Sequence, residues 1–368
     1  MVYDNEVIAG LAARVTDAAA TGRPLRIRGG GSKDFYGQSL DGEVLDMRAY
    51  SGLVSYEPSE LVVTVRAGMP LAELDALLAA QGQCLPFEPP HFGRSATVGG
   101  MVASGLNGPA RASVGAVRDY VLGVTMLNGR GEQLQFGGQV MKNVAGYDVS
   151  RLMAASLGTL GVLLEVSLKV LPVPPAECTL VFDLGEAEAI AQLNRWGGQP
   201  LPVNASAWHA GRLQVRLRGA RAAVAAAEKT MGGQRLGKDL EEAEVSWYAL
   251  REQTAPFFDL GVAHADGDAL WRLSVPDTTP PLNLGDTLVE WNGAQRWIKR
   301  PASDAALIRQ AVGAASGHAT LFRTGNDGAR TVPVFTPQTG PLDRIHRGLK
   351  QQFDPAGIFN PRRMSLDW

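Results

Sequence analysis

Apolar positions recur at helical spacing at the start of the chain, at Val7, Ile8, Leu11, Val15 and Ala18, and Gly22 then closes the run; this predicts a helix over residues 4–20. β-branched and apolar clusters between turn formers predict strands over residues 23–28, 42–47 and 61–67. Leu71, Leu74, Leu77 and Leu78 share one face of a helix over 70–81, with Pro70 suited to its first turn and Gly82 to its end. Residues 86–115 hold many glycines, four prolines and small hydroxyl side chains, with little to drive a regular element, and long small-residue loops are more often functional than idle. Pattern returns with a hairpin of residues 120–126 and 133–136 turning at Asn128-Gly129, a helix over 147–153 and a strand over 161–170.

Pro172, Pro174 and Pro175 mark a boundary. Beyond it, segments 179–184, 186–196, 203–208, 212–218 and 220–231 read strand, helix, strand, strand, helix, the order of a ferredoxin-like α+β unit. Further strands are expected over 270–275 and 287–299, with Asn292-Gly293 as the turn, then a helix over 304–315 and a strand over 319–323. No internal repeat is evident. The division expected is 1–175, 176–335 and a closing segment 336–368 that packs back on the first domain.

Composition narrows the function. The chain is 45% hydrophobic and 20% charged, as in ordinary globular proteins, and its 35 basic and 37 acidic residues nearly cancel. No basic run is long enough to attract a phosphate backbone, so nucleic acid is excluded as a partner. No segment reaches about 18 consecutive apolar residues and no secretory leader is seen, so a cytoplasmic protein without a transmembrane segment is expected. Cys84 and Cys178 are the only cysteines, too few for a disulfide framework or for a four-thiolate iron–sulfur cluster on this chain; any such cluster belongs to a partner.

Three glycine clusters carry candidate chemistry. Gly29-Gly30-Gly31-Ser32-Lys33 follows a strand directly, and residues without Cβ let backbone N–H groups converge on an anion; the same string also reads as a plain flexible turn. Ser95-Ala96-Thr97-Val98-Gly99-Gly100, continued to Ser104-Gly105, combines glycine with hydroxyl groups and suits the close approach of a flat ligand. Gly158-Thr159-Leu160-Gly161 opens the strand that starts at Val162, and reads equally as a core turn or as backbone groups beside an adenine. Neither a Walker loop nor a clean GxGxxG is present. Lys142 is a cation in a small apolar segment, placed either in water or where it would stabilise an anionic ligand or hold a carboxylate.

In this order the loops resemble the FAD-binding domain of the vanillyl-alcohol oxidase and p-cresol methylhydroxylase (PCMH) superfamily over residues 1 to 175. The strings PFEPPHFGRSATVGGMVASGLNGPAR, VMKNVAGYDVSRLMAASLGTLGV and FDPAGIFNPRRM are similar, more specifically, to the E-subunit family of bacterial glycolate oxidase (glycolate dehydrogenase). The resemblance implies an α+β fold, a two-subdomain PCMH-type FAD-binding domain followed by a ferredoxin-like α+β cap domain. It puts Arg28, Gly29, Gly30, Gly31 and Ser32 at the FAD pyrophosphate. Ser95, Ala96, Thr97, Gly99, Gly100, Ser104 and Gly105 fall at the pyrophosphate and isoalloxazine, and Gly158, Thr159, Gly161 and Val162 at the adenine. Arg118, Asp119 and Asn360 are further cofactor contacts, and Pro90 and His91 lie beside the flavin or serve only to shape the loop. The histidine that carries covalent FAD in some members is replaced by Gly-Ser-Lys-Asp, which implies non-covalent FAD.

The same resemblance implies a catalytic flavoprotein subunit and an iron–sulfur subunit as partners, a small 2-hydroxy acid as the substrate of the complex, and membrane association, if any, through those partners. Related dehydrogenases carry a His-rich metal site in the second domain; here Gly317-His318-Ala319 continues as Thr-Leu-Phe-Arg, so no metal site and no catalytic residue is assigned. Two readings stand: a flavin-bearing subunit of a complex, which passes electrons between its partners or serves only their assembly without catalysis, or a self-sufficient dehydrogenase gripping its substrate with Arg323, Arg118 or Lys142. Trp196, Trp208, Trp247, Trp271, Trp291 and Trp297, all in the C-terminal half, suit either a partner surface or a core.

Overall fold

The computed structural model describes residues 2–138, 148–237, 246–260, 268–325 and 332–368. In chain order its main elements are α1 (Val2–Thr21), β1 (Leu25–Arg28), β2 (Glu43–Asp46), β3 (Leu53–Glu57), β4 (Val62–Arg66), α2 (Leu71–Ala79), α3 (Val98–Ser104), β5 (Val121–Leu127), β6 (Gln133–Gly137) and β7 (Val162–Lys169). They continue as β8 (Ala176–Asp183), α4 (Glu186–Gly197), β9 (Val203–His209), β10 (Arg212–Gly219), α5 (Arg221–Met231), β11 (Gln234–Arg235), β12 (Asp268–Ser274), β13 (Thr287–Glu290), β14 (Gln295–Pro301), α6 (Ala305–Ala314), β15 (His318–Thr324) and α7 (Pro341–Phe353). Two compact units result: Met1–Leu106, Ala116–Pro172 and Pro337–Trp368 form one, Asn107–Gly115 and Val173–Thr336 the other.

In the first unit β1 and β2 pair in parallel, and β3-β4-β7-β5-β6 form an antiparallel sheet. The apolar stripe of α1 buries Leu11, Val15 and Ala18 against Leu25, Leu45 and the tail residues Ile358 and Phe359. Leu25 also pairs with Phe359 through a parallel bridge, so the tail lies beside β1.

Three local expectations are corrected here. The stretch 86–115 is not devoid of regular structure: Thr97 accepts the Gly100 N–H and starts α3, and Arg111–Val114 makes one further helical turn. A single capping hydroxyl decides this where periodicity gives no signal. The hairpin of β5 and β6 turns through Asn128–Glu132 instead of a two-residue Asn-Gly, because the Asn128 side chain accepts the N–H groups of Arg130 and Glu132. Residues 147–153 form no α-helix: Ser150–Met153 is a 3₁₀ turn, with Asp148 taking the Ser150 hydroxyl and the Arg151 N–H, and Tyr147 lies outside the described residues.

The second unit is one eight-stranded sheet in the order β11-β8-β10-β9-β13-β14-β12-β15. Its first half, β8-α4-β9-β10-α5-β11, has the 4-1-3-2 strand order of a ferredoxin-like unit. Its second half repeats that order with β12, β13, β14 and β15, and the two halves join through β9 and β13. An internal repeat is therefore present, masked in sequence because the second half replaces its first helix by the irregular connection 275–286. Arg296, fully buried, holds that connection by donating to the carbonyls of Thr279, Pro280 and Gly293. Trp196, Trp271 and Trp297 are buried core residues, whereas Trp208 and Trp247 are half-buried with their indole N–H groups donating to Leu184 O and Thr179 Oγ1.

Among the described residues no helix is long and apolar enough to cross a membrane.

Candidate cofactor site

Within the first unit a recess of about 460 Å³, part of it open solvent, is bounded by the end of β1, the start of α3, the turn before β7 and the tail. Ile27 contributes from β1 and Gly29 from just after it, Thr97 from the cap of α3 and Gly99 and Gly100 from its first turn, Gly158 and Gly161 from the turn before β7, and Asn360 from the tail.

Close packing, more than backbone freedom, requires several of these glycines. A Cβ on Gly30 would lie 1.4 Å from the Ser95 carbonyl oxygen, and one on Gly99 would lie 2.7 Å from the Ala67 Cβ. Gly158 differs, since its φ of 70° favours glycine and Asn360 stands against it. The first two glycine loops are thus stacked back to back with no room for side chains.

Their backbone donors differ. At the Ser95–Gly100 loop the helix-side N–H groups are already used: Val98 donates to Met69 O, Gly99 to Ala67 O and Gly100 to Thr97 Oγ1. At the first loop the N–H groups of Gly29, Gly30, Gly31 and Ser32 donate to no described protein group. Four consecutive donors without a described protein acceptor are the chemistry an anion needs, and Gly29 of the four lines the recess. The side chains add to it, because Asp34 is shared by Arg26 and Arg28, which leaves one positive charge in excess beside Gly31.

Asn360 ties the opposite walls together. Its side-chain oxygen accepts the Ile27 N–H at 2.7 Å and its amide nitrogen donates to Leu157 O at 2.6 Å.

A family model described as an FAD binding domain matches residues 6–137. The glycolate oxidase subunit GlcE of Escherichia coli (strain K12) is 45% identical over 365 residues, covering 99% of both chains. The chain belongs to the GlcE family. Two relatives match only in part: a D-lactate dehydrogenase of Anaerostipes hadrus, 30% identical over 57% of this chain and 42% of its own length, and the glycolate oxidase subunit GlcD of Bacillus subtilis (strain 168), 32% identical over 41% of this chain and 32% of its own. A solved structure of alkyldihydroxyacetonephosphate synthase superposes with a TM-score of 0.65 at 16% identity, over 96% of this chain and 74% of that one, and at that identity the likeness speaks for the fold. Free donors, crowded glycines and excess positive charge at one wall fit FAD, whose pyrophosphate is an anion and whose rings are flat.

Against this GlcE-family frame, the recess gathers Gly29, Thr97, Gly99, Gly100, Gly158, Gly161 and Asn360 from the residues singled out by sequence. Others stand elsewhere. The guanidinium of Arg28 is turned to Asp34, and Ser32 accepts from Lys33. Ser104 returns its hydroxyl to Met101 O inside α3, and Gly105 is that helix's left-handed cap. Ala96 and Pro90 are buried outside the lining, as is Val162 in the sheet core. Thr159 bonds Ser156 O, His91 pairs with Asp75 at 2.9 Å, and Arg118 and Asp119 are exposed, with Asp119 accepting the Ala116 N–H. Lys142 lies outside the described residues. Sequence reasoning missed Ser156 and the apolar Ile27, Met47, Ala67, Ala103, Leu157 and Leu163 in the lining, since an apolar or small residue beside a glycine loop gives no distinguishing signal.

Proposed function

We propose that the chain holds FAD non-covalently in this recess and serves as the flavin-bearing subunit of a glycolate-oxidising complex, together with a catalytic flavoprotein and an iron–sulfur subunit in the cytoplasm. The observation that carries the cofactor half of this reading is the row of four unpaired N–H groups at Gly29–Ser32. In the proposed assignment these groups, with the excess charge of Arg26 and Arg28, take the pyrophosphate. Gly99, Gly100 and Gly158 leave space for the rings, while Thr97 fixes α3 and Asn360 fixes the distance between the walls.

The relation to the Escherichia coli GlcE over the whole chain supports the complex half. Oxidation of glycolate to glyoxylate removes two electrons and two protons, and bound FAD supplies a two-electron acceptor. We assign removal of the hydroxyl proton to the catalytic partner, since His318 begins β15 without a neighbouring second imidazole or acid in its sequence motif. Co-expression with the catalytic and iron–sulfur subunits tests this: glycolate-dependent dye reduction should require all three chains, and full activity without this one would refute it.

A further inference from the structure

Lys350, in the last turn of α7, is only 6% exposed. Its ammonium donates to Thr159 O at 2.8 Å, to Phe359 O at 2.8 Å and to Asp354 Oδ2 at 2.7 Å. Asp354, 1% exposed, accepts the N–H groups of Ile358 and Phe359 in turn. Thr159 belongs to the turn Gly158–Gly161 that forms one wall of the recess. Phe359 precedes Asn360, which fastens the β1 wall through Ile27. One buried cation therefore fixes a carbonyl behind each wall while touching none of the recess itself.

Folding alone does not favour such an arrangement. Burial pushes the Lys350 ammonium below its usual range, with Asp354 opposing, and a buried ion pair is often no better for stability than apolar residues of similar size. What the pair supplies is a fixed position for two carbonyls at once. We propose that Lys350 is a positioning residue for the cofactor: by holding Thr159 O and Phe359 O it sets the distance between the walls, and so the affinity of the recess for FAD. This rests on the reading that the recess holds FAD.

Two variants separate positioning from stability. Lys350→Met leaves Asp354 as an uncompensated buried charge and should lose both stability and FAD affinity. Lys350→Met/Asp354→Asn leaves no buried charge and keeps an acceptor for the Phe359 N–H. Its unfolding temperature should recover the part of the loss that came from the uncompensated charge, while FAD affinity measured by fluorescence titration stays roughly tenfold or more below wild type, because the two walls are no longer held at one distance. Wild-type FAD affinity in the folded double variant would overturn the proposal. Wild-type protein that binds no FAD would overturn the reading of the recess and this inference with it. A second measurement needs no variant: FAD should slow acetylation of Lys350 in the native chain, since Nζ is reached only when the walls part, and labelling unaffected by bound FAD would contradict the proposal.

Discussion

Thr97 Oγ1 stands 2.1 Å from the place that a Cβ on Gly29 would occupy. The hydroxyl that caps α3 thereby also sets how closely the first glycine loop approaches the second. A substitution on either side acts on both.

Gly30→Ala is the sharpest test of that stacking, because its Cβ meets the backbone oxygen of Ser95 and not a side chain that can swing away. We expect a loss of roughly 1–3 kcal/mol in unfolding free energy together with loss of FAD binding. Gly10→Ala is the control: it lies in α1 with nothing within 4 Å of its Cβ, and should stabilise the protein by about 1 kcal/mol without touching the cofactor. Thermal unfolding and FAD titration of both variants check the pair of outcomes.

Thr97→Ala removes the cap on Gly100 and should cost about 1 kcal/mol, whereas Thr97→Ser keeps the oxygen and should stay near wild type. Chemical denaturation of the two variants measures the difference.

Glu290 gives the second unit a pH dependence. It is 3% exposed and accepts from Trp297 Nε1 at 2.6 Å and Gln295 Nε2 at 3.0 Å, yet has no ion-pair partner among the described residues. Burial pushes its carboxyl up to about 7, against the two hydrogen bonds that pull it down. The folded value is above the unfolded one, so the protonated form favours the fold: stability is fully present below the unfolded value and falls as pH rises toward 7. Linkage makes the total loss roughly 3 kcal/mol, and Glu290→Gln should abolish it. Denaturation at pH 5 and pH 8, followed through tryptophan fluorescence, compares the two proteins.

Arg296 stands in for a missing helix. Arg296→Leu leaves the carbonyls of Thr279 and Pro280 without their buried donor and should destabilise the second unit by about 3 kcal/mol, read as a lower unfolding midpoint.

How much of this was legible in the chain depends on the kind of signal. The leucine face of α2 and the β-α-β-β-α order of residues 179–231 are periodic patterns, and the structure follows them. The start of α3 rests on one threonine and the long hairpin turn on one asparagine, and such single side-chain contacts leave no period to read. The repeat in the second unit was hidden because strand order is a spatial property and one half lacks a helix. The glycine loops were visible as candidate sites, but sequence could not tell that the donors of Val98, Gly99 and Gly100 are spent while those of Gly29–Ser32 remain free. Lys350 carried no signal either: a lysine in an amphipathic helix is ordinarily solvated, and only the packed tail shows its three acceptors.

The most direct test of the account is the visible spectrum of the purified chain under anaerobic conditions, before and after glycolate, alone and then with the catalytic subunit, followed by acid precipitation. The account predicts a yellow protein that releases FAD into the acid supernatant, keeps its colour with glycolate alone and bleaches once the catalytic subunit is added. Bleaching of the chain by glycolate on its own would contradict it and identify a self-sufficient dehydrogenase.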